Sequence, residues 1–260
     1  MTGAIRVQRD GPVGTLVFDH EARRNAITRD MWRAIPAAAR ELDADDAIRV
    51  IVLRGAGEQA FVAGADISEF GDVRTGDNAE RYEHETEEAF GALEGLQKPV
   101  VALIHGFCIG GGAALALTAD LRYAADDAVL AIPPARLGLG YGIDRIESLV
   151  NVVGLASARE ILFTARRFTA AEAERMGWVH RVLPKPDLDA FVADTARRIA
   201  DNAPLTLRSA KRVLRELARP AAERDQAAMQ ASVHACFASE DYAEGIRAFL
   251  EKRRPNFQGR

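Results

Sequence analysis

The sequence predicts one α/β core that carries an all-helical appendage. Two observations lead there. Short β-branched runs bounded by Gly, Pro or Asp alternate with helical patterns through the first half of the chain. From about residue 155 the character changes to helix alone. Mixed elements followed by helices only are the pattern of an α/β unit with a helical addition. The 260 residues give length for one or two domains with a sizeable core.

The elements follow in order. "VGTLVFD" (13–19), "IRVIVLRG" (48–55), "KPVVALIHG" (98–106) and "LRYAADDAVLAIP" (121–133) read as strands. Thr28 can cap a helix running to about Leu42. It sets Met31, Ile35, Ala38 and Leu42 on one face, and Pro36 predicts a kink. A second helix is expected from near Asn78 to Leu96, with Tyr82, Glu85, Ala89 and Leu93 at helical spacing. A third starts just after three glycines, 110–112. "SARE" (157–160) and "TAAE" (169–172) both read as capping boxes, and Gly177 as a helix stop. "LDAFVADTARRIADNAP" and "PLTLRSAKRVLRELARP" are two helices closed by proline, and residues 221–254 continue as a helical tail. No low-complexity linker and no strict internal repeat interrupts the chain.

Composition excludes several functions. The net charge is −4, and there is no basic run, no interleaved aromatic platform and no zinc spacing, so nucleic acid is not an expected partner. Cys108 and Cys236 form no Cys-x-x-Cys pair and read as thiols in a reducing compartment. The polar start "MTGAIRVQRD" lacks a signal-peptide pattern, and no apolar segment is long enough to span a bilayer. A cytoplasmic protein, or one of an organelle matrix, is expected. Histidines 20, 84, 105, 180 and 234 share no catalytic pattern, and His105 reads as a structural residue ending a core strand.

The chemistry lies in "IHGFCIGGGAALAL" (104–117). A Gly-rich turn from strand to helix aims several N–H groups at one spot and suits negative charge. A phosphate loop needs Gly-Lys-Ser/Thr, whereas two alanines follow Gly111 and Gly112. A dinucleotide site has only "RVIVLRGAGEQA" (49–60) to offer, and no helix pattern follows it. An oxyanion hole remains, with amides aimed at a developing O⁻. A second turn must then supply another amide, and "FVAGADI" (61–67) is of that kind. Close helix–strand packing at the glycines stays open as the purely structural alternative.

"AFVAGADISEF" (60–70) followed by "KPVVALIHGFCIGGGAALALTADLRYAADDAVLAIPPARLGLG" (98–140) closely resembles the enoyl-CoA hydratase/isomerase family, the crotonase superfamily. So do "RRNAIT" (23–28), "LFTARRFTAAEAERMGWVHRVLP" (162–184) and "SEDYAEGIRAFLEKRRPNF" (239–257). The resemblance implies a crotonase-like spiral of ββα units over residues 1–200, holding an acyl-CoA site. It implies a C-terminal all-helical trimerisation region over 201–260, and hence a homotrimer or dimer of trimers. No prosthetic group is implied; coenzyme A enters as part of the substrate thioester. Ala65 and Gly111 match the two positions whose N–H groups hold the thioester oxygen. Ala22, Arg24, Ala63, Asp66, Ile67 and Phe107 match the strip along the coenzyme, and Lys252 with Arg253 a cationic segment that reaches it. Phe70, Phe90, Phe107 and Leu139 suggest an apolar pocket.

The chain departs from the family where hydratases carry two glutamates. Those places hold Ala114 and Pro134. Each positioned acid or base contributes about 10²–10⁴-fold, so efficient hydration is not expected. "GLGYGIDRIE" (138–147) offers Tyr141 and Asp144 as replacements. Decarboxylase-like members resemble this chain at Tyr141, although they carry a histidine where it has Ala65. A decarboxylase or other lyase on the same scaffold, and a non-catalytic acyl-CoA binder, are the alternatives.

Overall fold

A computed structural model of the chain describes residues 3–69 and 77–260. The strands, in chain order, are β1 (Ala4–Asp10), β2 (Val13–Asp19), β3 (Val50–Gly55), β4 (Ala60–Val62), β5 (Val100–Ile104), β6 (Phe107–Ile109), β7 (Leu121–Ala125), β8 (Val129–Ala131), β9 (Phe168–Thr169) and β10 (Arg181–Leu183). The helices are α1 (Arg29–Ala44), α2 (Asp77–Glu94), α3 (Gly111–Leu117), α4 (Ile143–Thr164), α5 (Ala170–Arg175), α6 (Lys185–Ala200), α7 (Pro204–Ala218), α8 (Gln226–Phe237) and α9 (Glu240–Leu250).

Two sheets share these strands. One has the order β1-β2-β3-β5-β7-β10 and the other β4-β6-β8-β9. The chain visits them in turn: β3, β5 and β7 lie in the larger sheet, and β4, β6 and β8, each following its partner, in the smaller. Neighbours in these two runs are parallel. Each ββα turn therefore stacks one strand spacing, about 4.8 Å, above the last. This is the spiral that the resemblance implies. Its repeat is one of backbone path, which explains why the sequence shows no strict repetition.

The core fills the space between the sheets and α1, α2, α3 and α4, with Phe18, Trp32, Phe61, Leu115 and Trp178 among its buried members. A second apolar cluster, Val50, Val101, Leu103, Leu188 and Val192, holds α6 against the outer face of the larger sheet. His105 serves that contact: its Nε2 lies 2.6 Å from Asp189 Oδ2 on α6, and Arg54 donates to Asp189 Oδ1 at 2.6 Å.

Helix α7 is tied to the core by cations. Lys98 is 2% exposed and its ammonium donates to the carbonyls of Leu42 and Asp45, where α1 ends. Lys211 of α7 donates to Lys98 O and to Asp120, and Arg215 to Leu96 O. Loss of water lowers both lysines below the ordinary ammonium range, and paired acceptors are what keep such groups inside.

Several sequence expectations need correction. Residues 4–10 form a strand although they read as a polar start; one edge strand needs little apolar surface, and most of its residues are exposed. The segment 121–133 is two strands, split by a turn at Asp126 and Asp127. Helix is not the only structure beyond 155, because β9 and β10 close the two sheets. "SARE" does not start a helix: the break comes at Gly154 (φ 73°, ψ 163°), and Ser157 lies inside the helical segment. "TAAE" does form its box, with Thr169 and Glu172 exchanging both bonds. Thr28 caps α1 as read, and the helix passes Pro36 as one segment. The dinucleotide pattern after β3 leads straight into β4 and starts no helix.

Candidate active site

Ala65 and Gly111 come together because of register. β4 and β6 are parallel neighbours, with Val62 opposite Cys108. Ala65 and Gly111 each lie three residues beyond that pair, so both emerge at one end of the small sheet. The point where Gly111 would carry a Cβ is 3.9 Å from the Ala65 nitrogen. Ala65 is held between two bonds to Ile27: the Ile27 N–H donates to Gly64 O, and the Asp66 N–H to Ile27 O, each at 2.8 Å. Its own N–H faces the other way. Among the described residues neither the Ala65 nor the Gly111 N–H has an acceptor. Helix α3 has seven residues, so what it presents is individual amides more than a macrodipole.

The glycines separate two explanations. A Cβ on Gly112 would lie 2.1 Å from Val62 O, so that glycine is required by the close approach of α3 to β4. Gly111 is different. Its φ is not left-handed, and the nearest atom to its Cβ position is Trp32 Cζ2 at 3.4 Å, an ordinary contact. The fold does not need glycine at 111. Its bareness keeps open the space in front of the Ala65 amide.

Trp32 does not fall among the core-face residues read from α1. The one signal for it is composition: an aromatic four residues into a capped helix. Its Nε1–H donates to Tyr82 OH at 3.0 Å, and its ring tilts against Phe90 at 5.4 Å. The Arg145 guanidinium lies 4.3 Å from the Phe90 ring centroid and bonds Glu94 at 2.6 Å. Tyr141 packs against the same core. Its hydroxyl is buried and has no hydrogen-bond partner, and burial, together with nearby Cys108, pushes its pKa up. Asp144 is exposed on the first turn of α4. Ala114 is buried in α3, and half-buried Pro134 opens a 3-10 turn, Pro134–Arg136, whose other two residues are exposed. Phe70 lies outside the described residues.

Polar and cationic groups surround the turns that carry Arg24, Ala63 and Asp66, while Lys252 and Arg253 lie at the end of the chain with the α9 carboxylates. Arg24 and Asn25 both adopt left-handed backbone (φ 52° and 57°). Asn25 is fully buried; its amide donates to Ala56 O and Ala60 O, and its Oδ1 accepts from the His20 N–H. That fixes the loop holding Ala22 and Arg24, both exposed, and Ala63 N–H donates to Arg24 O at 3.1 Å. The Arg24 guanidinium stands 4.7 Å over the half-buried Phe107 ring, with Arg167 at 5.9 Å from the same ring. Phe107 thus sits with the cations rather than with Phe90. Asp66 accepts from Ser68 N and Oγ and caps the short turn Ile67–Glu69. Burial raises its pKa, but the Ser68 bonds prevail and hold it below the usual carboxylate range. Ile67 is 60% exposed beside it. Arg253 is engaged by Glu244 and Glu251, whereas exposed Lys252 has no side-chain partner among the described residues.

The two neighbouring glycines should respond differently to one added methyl group. Gly112→Ala should cost about 3 kcal/mol of unfolding free energy or abolish folding, as overpacking against rigid backbone does. Gly111→Ala should stay within about 1 kcal/mol. Urea titrations followed by circular dichroism measure both.

Comparison with known proteins agrees with the geometry. The family model described as enoyl-CoA hydratase/isomerase matches residues 9–260. The chain is 34% identical over 256 residues to a probable enoyl-CoA hydratase of Mycobacterium bovis, covering 98% of each chain. It is 30% identical over 250 residues to a short-chain-enoyl-CoA hydratase of Clostridium acetobutylicum, covering 96% of this chain and 95% of the relative. An enoyl-CoA hydratase/carnithine racemase from Magnetospirillum magneticum superposes with a TM-score of 0.95 at 34% identity, covering 100% of this chain and 97% of that one. With a family model spanning nearly all of its length and full-length relatives on the same fold, this chain belongs to the enoyl-CoA hydratase/isomerase family.

Proposed function

We propose that the protein binds an acyl-CoA thioester and stabilises its enolate-like anion with the N–H groups of Ala65 and Gly111. The observation that carries this is the pair of amides without acceptors, brought close together beside a glycine that the fold does not itself require. Each such donor supplies about 3 kcal/mol when it meets charge that develops during reaction. Ala22, Arg24, Ala63, Asp66, Ile67 and Phe107 line the coenzyme's path, and Lys252 offers a free cation to a phosphate. Adding a methyl group in Gly111→Ala should weaken acyl-CoA binding about tenfold or more, as measured by isothermal titration calorimetry. Unchanged affinity would remove the hole.

The missing carboxylates set the reaction. Neither Ala114 nor Pro134 can move a proton. Hydration of crotonyl-CoA should therefore have a kcat/KM at least about 10⁴-fold below that of a two-glutamate hydratase assayed alongside. Rapid hydration abolished in Asp144→Ala would instead make Asp144 a substitute acid. Tight binding with no turnover across an acyl-CoA panel would identify a non-catalytic binder.

One observation favours a lyase. The Tyr141 hydroxyl is buried without a partner, and such a group suits an oxygen that arrives with substrate. Loss of CO₂ needs an anion stabiliser more than a general base. Methylmalonyl-CoA should then release CO₂, and Tyr141→Phe should lower that rate by about tenfold or more. No release from the wild type ends this reading.

Residues 201–260 act as the oligomerisation region of a cytoplasmic homotrimer or dimer of trimers. Supporting this, α7, α8 and α9 border an open apolar groove of about 870 Å³, lined by Val213, Leu214, Phe237, Tyr242, Ile246 and Phe249. Phe249 is 83% exposed in the single chain. Light scattering on the purified protein should show three or six chains per particle; a monomer contradicts it.

A further inference from the structure

The two amides mark where the thioester oxygen rests, and the side chain beside that point governs which acyl group can follow it. That side chain is Trp32. Its Cζ2 and Cη2 atoms lie 3.4 and 3.7 Å from the point in front of Gly111 that is itself 3.9 Å from the Ala65 nitrogen. The benzo edge of the indole therefore borders the point that a Cβ on Gly111 would fill, beside the Ala65 nitrogen.

The edge is held from behind. The indole N–H is fixed to the Tyr82 hydroxyl at 3.0 Å, and the ring rests on Phe90, whose own face carries the Arg145 guanidinium. Glu94 anchors that guanidinium at 2.6 Å. Trp32 is 2% exposed, and Tyr82 and Phe90 are buried with it. A flexible Met or Leu at this place could change rotamer to admit a longer chain. An indole bonded at one end and packed at a tilt against a second buried ring has no low-energy alternative in a close-packed interior.

We infer that Trp32 is the specificity-determining residue for acyl length, closing the acyl compartment so that short acyl-CoA thioesters fit and medium-chain ones do not. The inference rests on the proposed acyl-CoA site and adds to it the class of acyl group. Trp32 takes no part in proton transfer; it acts by occupying volume.

The test is the binding of butyryl-, hexanoyl-, octanoyl- and decanoyl-CoA to the full chain, measured by calorimetry so that no turnover is required. In the wild type decanoyl-CoA should bind at least roughly tenfold more weakly than butyryl-CoA, the scale set by a few misfit methylenes. Trp32→Leu should raise the decanoyl-to-butyryl affinity ratio by roughly tenfold or more. Should that variant fail to fold, Tyr82→Phe releases the indole N–H and should shift the ratio the same way by a smaller factor. A wild-type affinity that rises steadily with chain length overturns the Trp32 assignment alone, as does a ratio unmoved in a folded variant. Failure of folded wild type to bind any member of the series overturns the acyl-CoA site itself, and this inference with it.

Discussion

The pairing of Val62 with Cys108 is the constraint on which the rest of the site depends. Two short parallel strands in that register deliver two turns to one edge of the small sheet. A slip by one residue would turn one amide away, since alternate groups of an extended chain face opposite sides. The meeting of these two turns is thus a property of strand alignment, and no side chain has to build it. The fold protects the alignment heavily. β4 is wholly buried and so is Cys108 at the centre of β6, the larger sheet follows the same path alongside, and Gly112 lets α3 sit directly on Val62.

The surroundings of that edge divide by chemistry. On one side Asn25 secures a loop with two left-handed residues, and Arg24, Arg167 and Phe107 form an exposed cationic and aromatic surface. On the other, Trp32, Tyr82 and Phe90 form a buried aromatic group backed by Arg145. A molecule with a charged, extended handle and a compact apolar head fits this division.

Much of this was legible in the sequence because it was carried by local signals. Thr28, the box at Thr169 and Glu172, and Gly177 each act within a single turn of chain, and each behaves as read. The region beyond 155 misled because β9 and β10 have two and three residues. Strands that short exist only through the neighbours they pair with, and nothing in their own residues announces them. Gly154 illustrates a related limit. It breaks a helix through its own backbone angles, while the more conspicuous Ser-x-x-Glu three residues later stays unused. At the candidate site, motif resemblance points to Ala65 and Gly111 but not to Trp32. Trp32 lies beside Gly111, some eighty residues away in the chain, and helical periodicity says nothing about such a meeting.

The lysines beneath α7 carry a consequence for assembly. Lys98, Lys211 and Arg215 grip carbonyl oxygens and a carboxylate, and hydrogen bonds of this kind fix angle as well as distance. A purely greasy seam would let a helix roll; these contacts do not. The greasy side of α7 is consequently left pointing outward at a set inclination, like a tile mortared on its back. Any neighbour that settles there inherits its orientation from Lys211 and Arg215, the two cations by which α7 itself is held.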